Sequence, residues 1–296
     1  MNIIVCVKQV LDIRRPLVAE NDCFVRQQSE NQTYIVNPVD RCALEEALSI
    51  RRQAGQGKVT AVTVGNDRAR QALYYCLAQG ANDAIHVCQD VDAILDSHGV
   101  AEMLSKLIDQ LTYDLILCGN ASLDTNNSQT GAILAEFLNL PHVRDVVNIQ
   151  VSQERQQLSV RRRLEKGKRE DIECPLPAVL SVDRLINQPR YVSVHSYQAA
   201  MKRRLTTASD LGINAFSFAT REQSLRVTKV TLPRPRPKKS QSLDASLSGA
   251  DRLKMLMGGG ATSNKKSNVL KGEPEQLAAK VIEYLQSEGL APLSQS

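Results

Sequence analysis

Within the thirteen residues 119–131 the chain gathers the hydroxyls of Ser122, Thr125, Ser128 and Thr130, the carboxamides of Asn120, Asn126, Asn127 and Gln129, and one carboxylate, Asp124. Only Gly119, Ala121, Leu123 and Gly131 lack a polar side chain there, and no Lys or Arg occurs between residues 114 and 138. Chemistry at such a loop is binding rather than bond making. A phosphate would be met by backbone N–H groups and by Ser122, Thr125, Asn126, Ser128 and Thr130, since no catalytic base is paired with a nucleophile. The same residues would also suit an ordinary strand–helix connection with a polar cap.

The elements around the loop decide what it faces. Residues 115–118 (LILC) are a short continuous apolar run, as in a strand buried on both faces of a parallel sheet. Ala132, Ile133, Ala135, Phe137 and Leu138 then form the apolar stripe of a helix. The loop therefore lies at the carboxyl end of a strand and the amino end of a helix, where open α/β sheets bind ligands. Further apolar runs at residues 3–7, 59–64 and 84–87 alternate with helical patterns. Asn37 reads as an N-cap before Pro38 and Val39, with Asp40 as a first-turn carboxylate, and Gly80 stops a helix over 67–79. The alternation predicts a mostly parallel, doubly wound α/β sheet of Rossmann-like type. Period-two segments at 146–151 and 158–164 add an antiparallel hairpin, and 176–182 one more buried strand.

At 296 residues and 42% hydrophobic content, the chain can bury a large core without staples. Its seven cysteines are scattered, with no CxxC pair, and its four histidines show no ligand spacing, so the expectation is reduced core thiols and no metal site. No apolar stretch reaches the ~20 residues that span a bilayer, and the start, MNIIVCVKQV, reads as a strand, so we expect a cytoplasmic protein without membrane insertion. The net charge of +5 is concentrated in basic clusters, but four Phe and no Trp leave few stacking platforms for nucleic acid. Residues 233–249, rich in Pro, Ser and Lys, read as an extended arm. Two amphipathic helices are expected beyond it, over 251–257 and 273–286, suited to packing on a partner. The expected division is thus a nucleotide-binding domain at 1–232 and a linker with helical tail at 233–296.

Four segments, in order, resemble the beta (small) subunit of electron-transfer flavoproteins: VCVKQVLD from Val5, NPVDRCALEEAL from Asn37, the SQTG of Ser128 to Gly131, and VRRRLEKGKREDIECPLPAVLS from Val160. The resemblance covers residues 1 to about 232. It implies a carrier subunit without catalytic residues of its own, paired with an alpha subunit that holds most of the FAD. Electrons would come from acyl-CoA dehydrogenase-type donors and leave to a quinone-linked oxidoreductase. It further implies a structural AMP held near Cys6, the Asn37–Asp40 helix start, Val64 and the loop from Gly119 to Gly131. A segment carrying Val194, Tyr197 and Lys202 would dock the dehydrogenase. A bifurcating branch, with a second FAD and NADH as donor, typically reads QVGP where this chain has Gln129, Thr130, Gly131 and Ala132. A stand-alone adenine-nucleotide module is the alternative from another class, although no P-loop is present. Two positions depart from the family: Ser128 replaces the usual Asn, and Ile13 stands where some members have Tyr.

Overall fold

In a computed structural model, residues 1–13, 33–88, 96–152, 157–213 and 273–287 are described. The chain divides into two compact units, Met1–Leu232 and Pro233–Ser296. The first unit is built on β1 (Ile3–Cys6), β4 (Val59–Gly65), β5 (Asp83–Cys88), β6 (Leu115–Gly119) and β10 (Ala178–Val182). The helices of this unit are α1 (Pro38–Ala54), α2 (Arg70–Gln79), α3 (Ser97–Ile108), α4 (Thr130–Leu138) and α5 (Val194–Met201). Among the described residues one sheet of nine strands runs β11-β5-β4-β1-β6-β10-β7-β8-β9, where β7 is His142–Val151, β8 Gln157–Arg163, β9 Arg169–Pro175 and β11 Thr206–Thr207. From β11 to β7 every neighbouring pair is parallel, whereas β7–β8 and β8–β9 are antiparallel.

Alternate residues of β1 explain why this sheet is covered on both sides. Ile3 and Val5 join a core with Leu44, Leu48 and Leu73 of α1 and α2, while Ile4 and Cys6 join a second core with Met103, Leu107 and Leu134 of α3 and α4. Strands that bury both faces are apolar almost throughout, which is why β1 and β6 read as unbroken runs and β4 as a run broken only by Thr60 and Thr63. The chain leaves β1 for β4 on one side and later returns to its other side as β6. That reversal opens a crevice at the carboxyl ends of these three strands.

The doubly wound sheet is as expected, and so is the hairpin, β7–β8, which β9 extends into a three-stranded ribbon. Two features are additional: a small antiparallel pair, β2 (Gln9–Leu11) with β3 (Tyr34–Val36), and the short β11. The helix expected over 67–79 opens with a 3-10 turn, Asp67–Ala69, before α2 begins. In the second unit, α6 (Pro274–Ser287) leaves Val281, Ile282 and Tyr284 exposed. The expected arm at 233–249 and helix at 251–257 lie outside the described residues. No helix among the described residues is long and apolar enough to cross a membrane.

Candidate functional site: a cleft at the switch point

Cys6 and Cys118 are register partners at the ends of β1 and β6, and Val64 lies near the end of β4. They floor a cleft whose walls are the start of α1, the loop after β6 and the start of α4. Of the residues expected to bind a nucleotide, the cleft is lined by Cys6, Asn37, Asp40, Val64, Gly119, Asn120, Ala121, Ser122 and Thr125. Asn127, Ser128, Gln129, Thr130 and Gly131 complete that expected set along the loop. Pro38, Val39, Leu123, Asp124 and Asn126 are not among the lining residues. Lys8 and, from the start of α3, Asp96 and Ser97 also line it, and sequence reasoning passed over them. The signal for Asp96 was available: its carboxylate caps α3 through Gly99 N–H at 2.7 Å, another helix start facing the same sheet edge.

Asn37 and Asp40 do something other than their sequence positions suggest. Asn37 stands at the N-cap of α1, yet its side chain makes no capping bond. Its Nδ2 instead donates to Asp40 Oδ1 (2.9 Å) and to the Ala121 carbonyl (3.0 Å), while its Oδ1 accepts from Leu123 N–H (3.1 Å). Asp40, rather than facing water in the first turn, is buried and accepts from Lys8 N–H (2.8 Å) and Gly119 N–H (3.1 Å). Two side chains of α1 thus pin the end of β1, the end of β6 and the loop to one another. Burial raises the Asp40 pKa to about 7, against the lowering effect of its hydrogen bonds. Gly119 is required by close approach, because a Cβ there would collide with Asp40 Oδ1.

The loop presents donors. Ser122 and Thr125 hydroxyls hydrogen-bond at 2.9 Å, and Asn126 and Ser128 both take left-handed backbone angles, φ 52° and 56°. Among the described residues the N–H groups of Ser128, Gln129, Thr130 and Gly131 find no backbone acceptor, as expected at the first turn of α4. An anion is the natural occupant of such a turn. At Gly131 a side chain would run into Ser181 Oγ and Cys118 Sγ. Beneath it Ser181 Oγ bonds Cys118 Sγ at 3.2 Å and His142 Nε2 at 2.9 Å. Burial pushes the Cys118 thiol up to about 12 and Cys6 well above its usual value, so both are protonated and poor nucleophiles.

Away from the cleft, Arg190 holds Glu45 with a bidentate contact, its Nη2 at 2.7 Å and its Nε at 2.8 Å, fixing the segment that leads into α5. That segment exposes Leu185, Tyr191, Val194 and Met201 beside the exposed Lys202. Tyr191 is the most open, at 83%. Tyr197, expected to add an aromatic to this surface, is half-buried, on a helix that packs against α2. Asp67, His86 and Cys88 bring three potential metal-ligand atoms within 4.8 Å of one another. Arg70 already supplies a cation there, its Nε donating to His86 Nδ1 at 3.3 Å and its Nη2 lying 3.3 Å from Asp67.

The fold is that of a doubly wound α/β protein with a cleft at its switch point, and residues 27–210 match the electron transfer flavoprotein domain. The chain belongs to that family. It is 33% identical over 237 residues to the electron transfer flavoprotein subunit beta of Thermoanaerobacterium thermosaccharolyticum, covering 79% of this chain and 88% of that one. It is 31% identical over 258 residues to the mitochondrial beta subunit of Oryza sativa subsp. japonica, covering 86% and 98%. The beta subunit of Methylophilus methylotrophus is 30% identical over 236 residues, covering 79% and 89%.

Proposed function

We propose that this chain is the beta subunit of a heterodimeric electron-transfer flavoprotein. It holds AMP in the switch-point cleft, assembles with an alpha subunit that carries most of the FAD, and presents the surface around Val194 to acyl-CoA dehydrogenase-type donors. The FAD supplies the redox chemistry, and electrons leave to a quinone-linked acceptor. The observation that carries the AMP reading is the convergence of unpaired N–H groups at the start of α4 beside Gly119 and Gly131, where the backbone packs so closely on Asp40 and on Ser181 and Cys118 that no side chain fits. The donor set fits a phosphate, and the apolar wall of Val62, Val64, Val100 and Leu104 fits an adenine ring.

In this reading AMP is architectural. The chain's own residues bind and exclude water: Asn37 and Asp40 hold the cradle closed, and α4 directs its free amides at the phosphate. The docking surface combines an exposed aromatic and aliphatic cluster with a basic rim, a combination that anchors and steers an acidic partner. Release of small molecules from the co-purified heterodimer, followed by mass spectrometry, is expected to give AMP and FAD in equal amounts. Two FAD and no AMP per heterodimer would replace this reading with the bifurcating one, with NADH as donor.

A further inference from the structure

Lys8 is the one basic side chain lining the cleft among the described residues, and it lies on the strand-end segment after β1 rather than on the loop. Its Nζ sits 2.9 Å from Asp124 Oδ1 and 2.8 Å from Asp124 Oδ2, so the carboxylate engages it with both oxygens. Both ends of this bridge are anchored by the same two residues. Asp40 receives Lys8 N–H, and Asn37 receives Leu123 N–H beside Asp124. The bridge therefore joins the segment after β1 to the loop at one side of the cleft, which Lys8 lines.

We propose that this ion pair is a latch: an entering phosphate takes the Lys8 ammonium from Asp124, so that Lys8 is the counter-ion the loop lacks and Asp124 is its intramolecular competitor. The inference rests on the AMP reading and deepens it. The exchange is cheap to open, because a pair whose side chains are 45% and 30% exposed contributes little by itself. It is favourable to complete, because a phosphate near pH 7 carries about −1.5 to −2 charges against the single charge of Asp124. A nucleoside lacking the phosphate has nothing to offer Lys8 and leaves the latch shut.

The test is calorimetric titration of AMP and of adenosine into the full chain, co-expressed with its partner subunit and stripped of nucleotide. Lys8→Met is expected to weaken AMP about tenfold, the value of one charge-assisted contact, while leaving adenosine unchanged, and Lys8→Arg to restore most of the loss. Asp124→Asn is expected to tighten AMP several-fold with adenosine again unchanged. Equal losses for both ligands in Lys8→Met, or unaltered AMP affinity in both Lys8→Met and Asp124→Asn, would overturn the latch while AMP binding itself stands. If the wild-type protein binds neither ligand, it is the AMP reading that falls, and the latch with it.

Discussion

A carboxylate that accepts two backbone N–H groups and a carboxamide is ordinarily stabilised as the anion, but at Asp40 burial outweighs those donors and lifts the pKa from 3.8 to about 7. The sign of the consequence follows from proton counting. Between about pH 4 and 7 the unfolded chain has released this proton and the folded one retains it, so stability falls as pH rises through that window and is level above it. At about 1.4 kcal/mol per unit the cost is of order 4 kcal/mol. Asp40→Asn removes the titration, and turns one amide N–H toward other donors, so it is expected to destabilise the fold by about 1–3 kcal/mol at pH 4.5. Urea melts of both proteins at pH 4.5 and 7.5 should show the gap narrowing at the higher pH, whereas parallel behaviour would refute this role. Ser128 is a second residue whose context matters: its φ of 56° is one that Asn tolerates better, which gives the family's usual Asn a backbone reason.

At the scale of elements, the Glu45–Arg190 contact links α1 to the segment ahead of α5. Burial would raise the Glu45 pKa, but its hydrogen bonds with Arg190 and Gln79 outweigh it and the net shift is downward. The pair's contribution is thus complete above about pH 4.5 and fades as pH falls below it. Glu45→Gln is expected to cost about 1 kcal/mol, discounted for partial exposure, and to increase hydrogen exchange in residues 184–201. Unchanged exchange there would show that the contact does not order the segment. The same scale explains what the chain disclosed in advance. β1, β4, β6 and β10 were legible because burial on both faces demands nearly continuous apolar runs, interrupted here only by Thr60, Thr63 and Ser181. β9 was not, because its sequence, REDIECP, makes sense only beside β8, where Arg161 meets Asp171 and Arg162 meets Glu170 at 2.6 Å. β2 and β3 pair across an interval of more than twenty residues that no local pattern can bridge. In the cleft, helix starts and the loop were readable from turn and cap chemistry. Lys8 was missed because its place depends on the register that sets β1 beside β6.

For the molecule as a whole, a ligand that binds only the folded state adds stability by mass action, about 2.7 kcal/mol at a hundredfold excess over Kd. In a unit spanning Met1–Leu232 this corresponds to about 5–10 °C in Tm, to be read by calorimetry with AMP added to stripped protein. No shift at saturating AMP would contradict an architectural role. The flanks of the large sheet set a further condition on assembly. One margin ends in β11, only two residues long, and the other in β9, where Arg169, Glu170, Asp171 and Glu173 are all exposed. Short or charged margins refuse an incoming strand. Among the described residues, the margins of this sheet therefore disfavour backbone pairing between copies, and recognition of another subunit falls to side chains on faces and loops, where it can be selective.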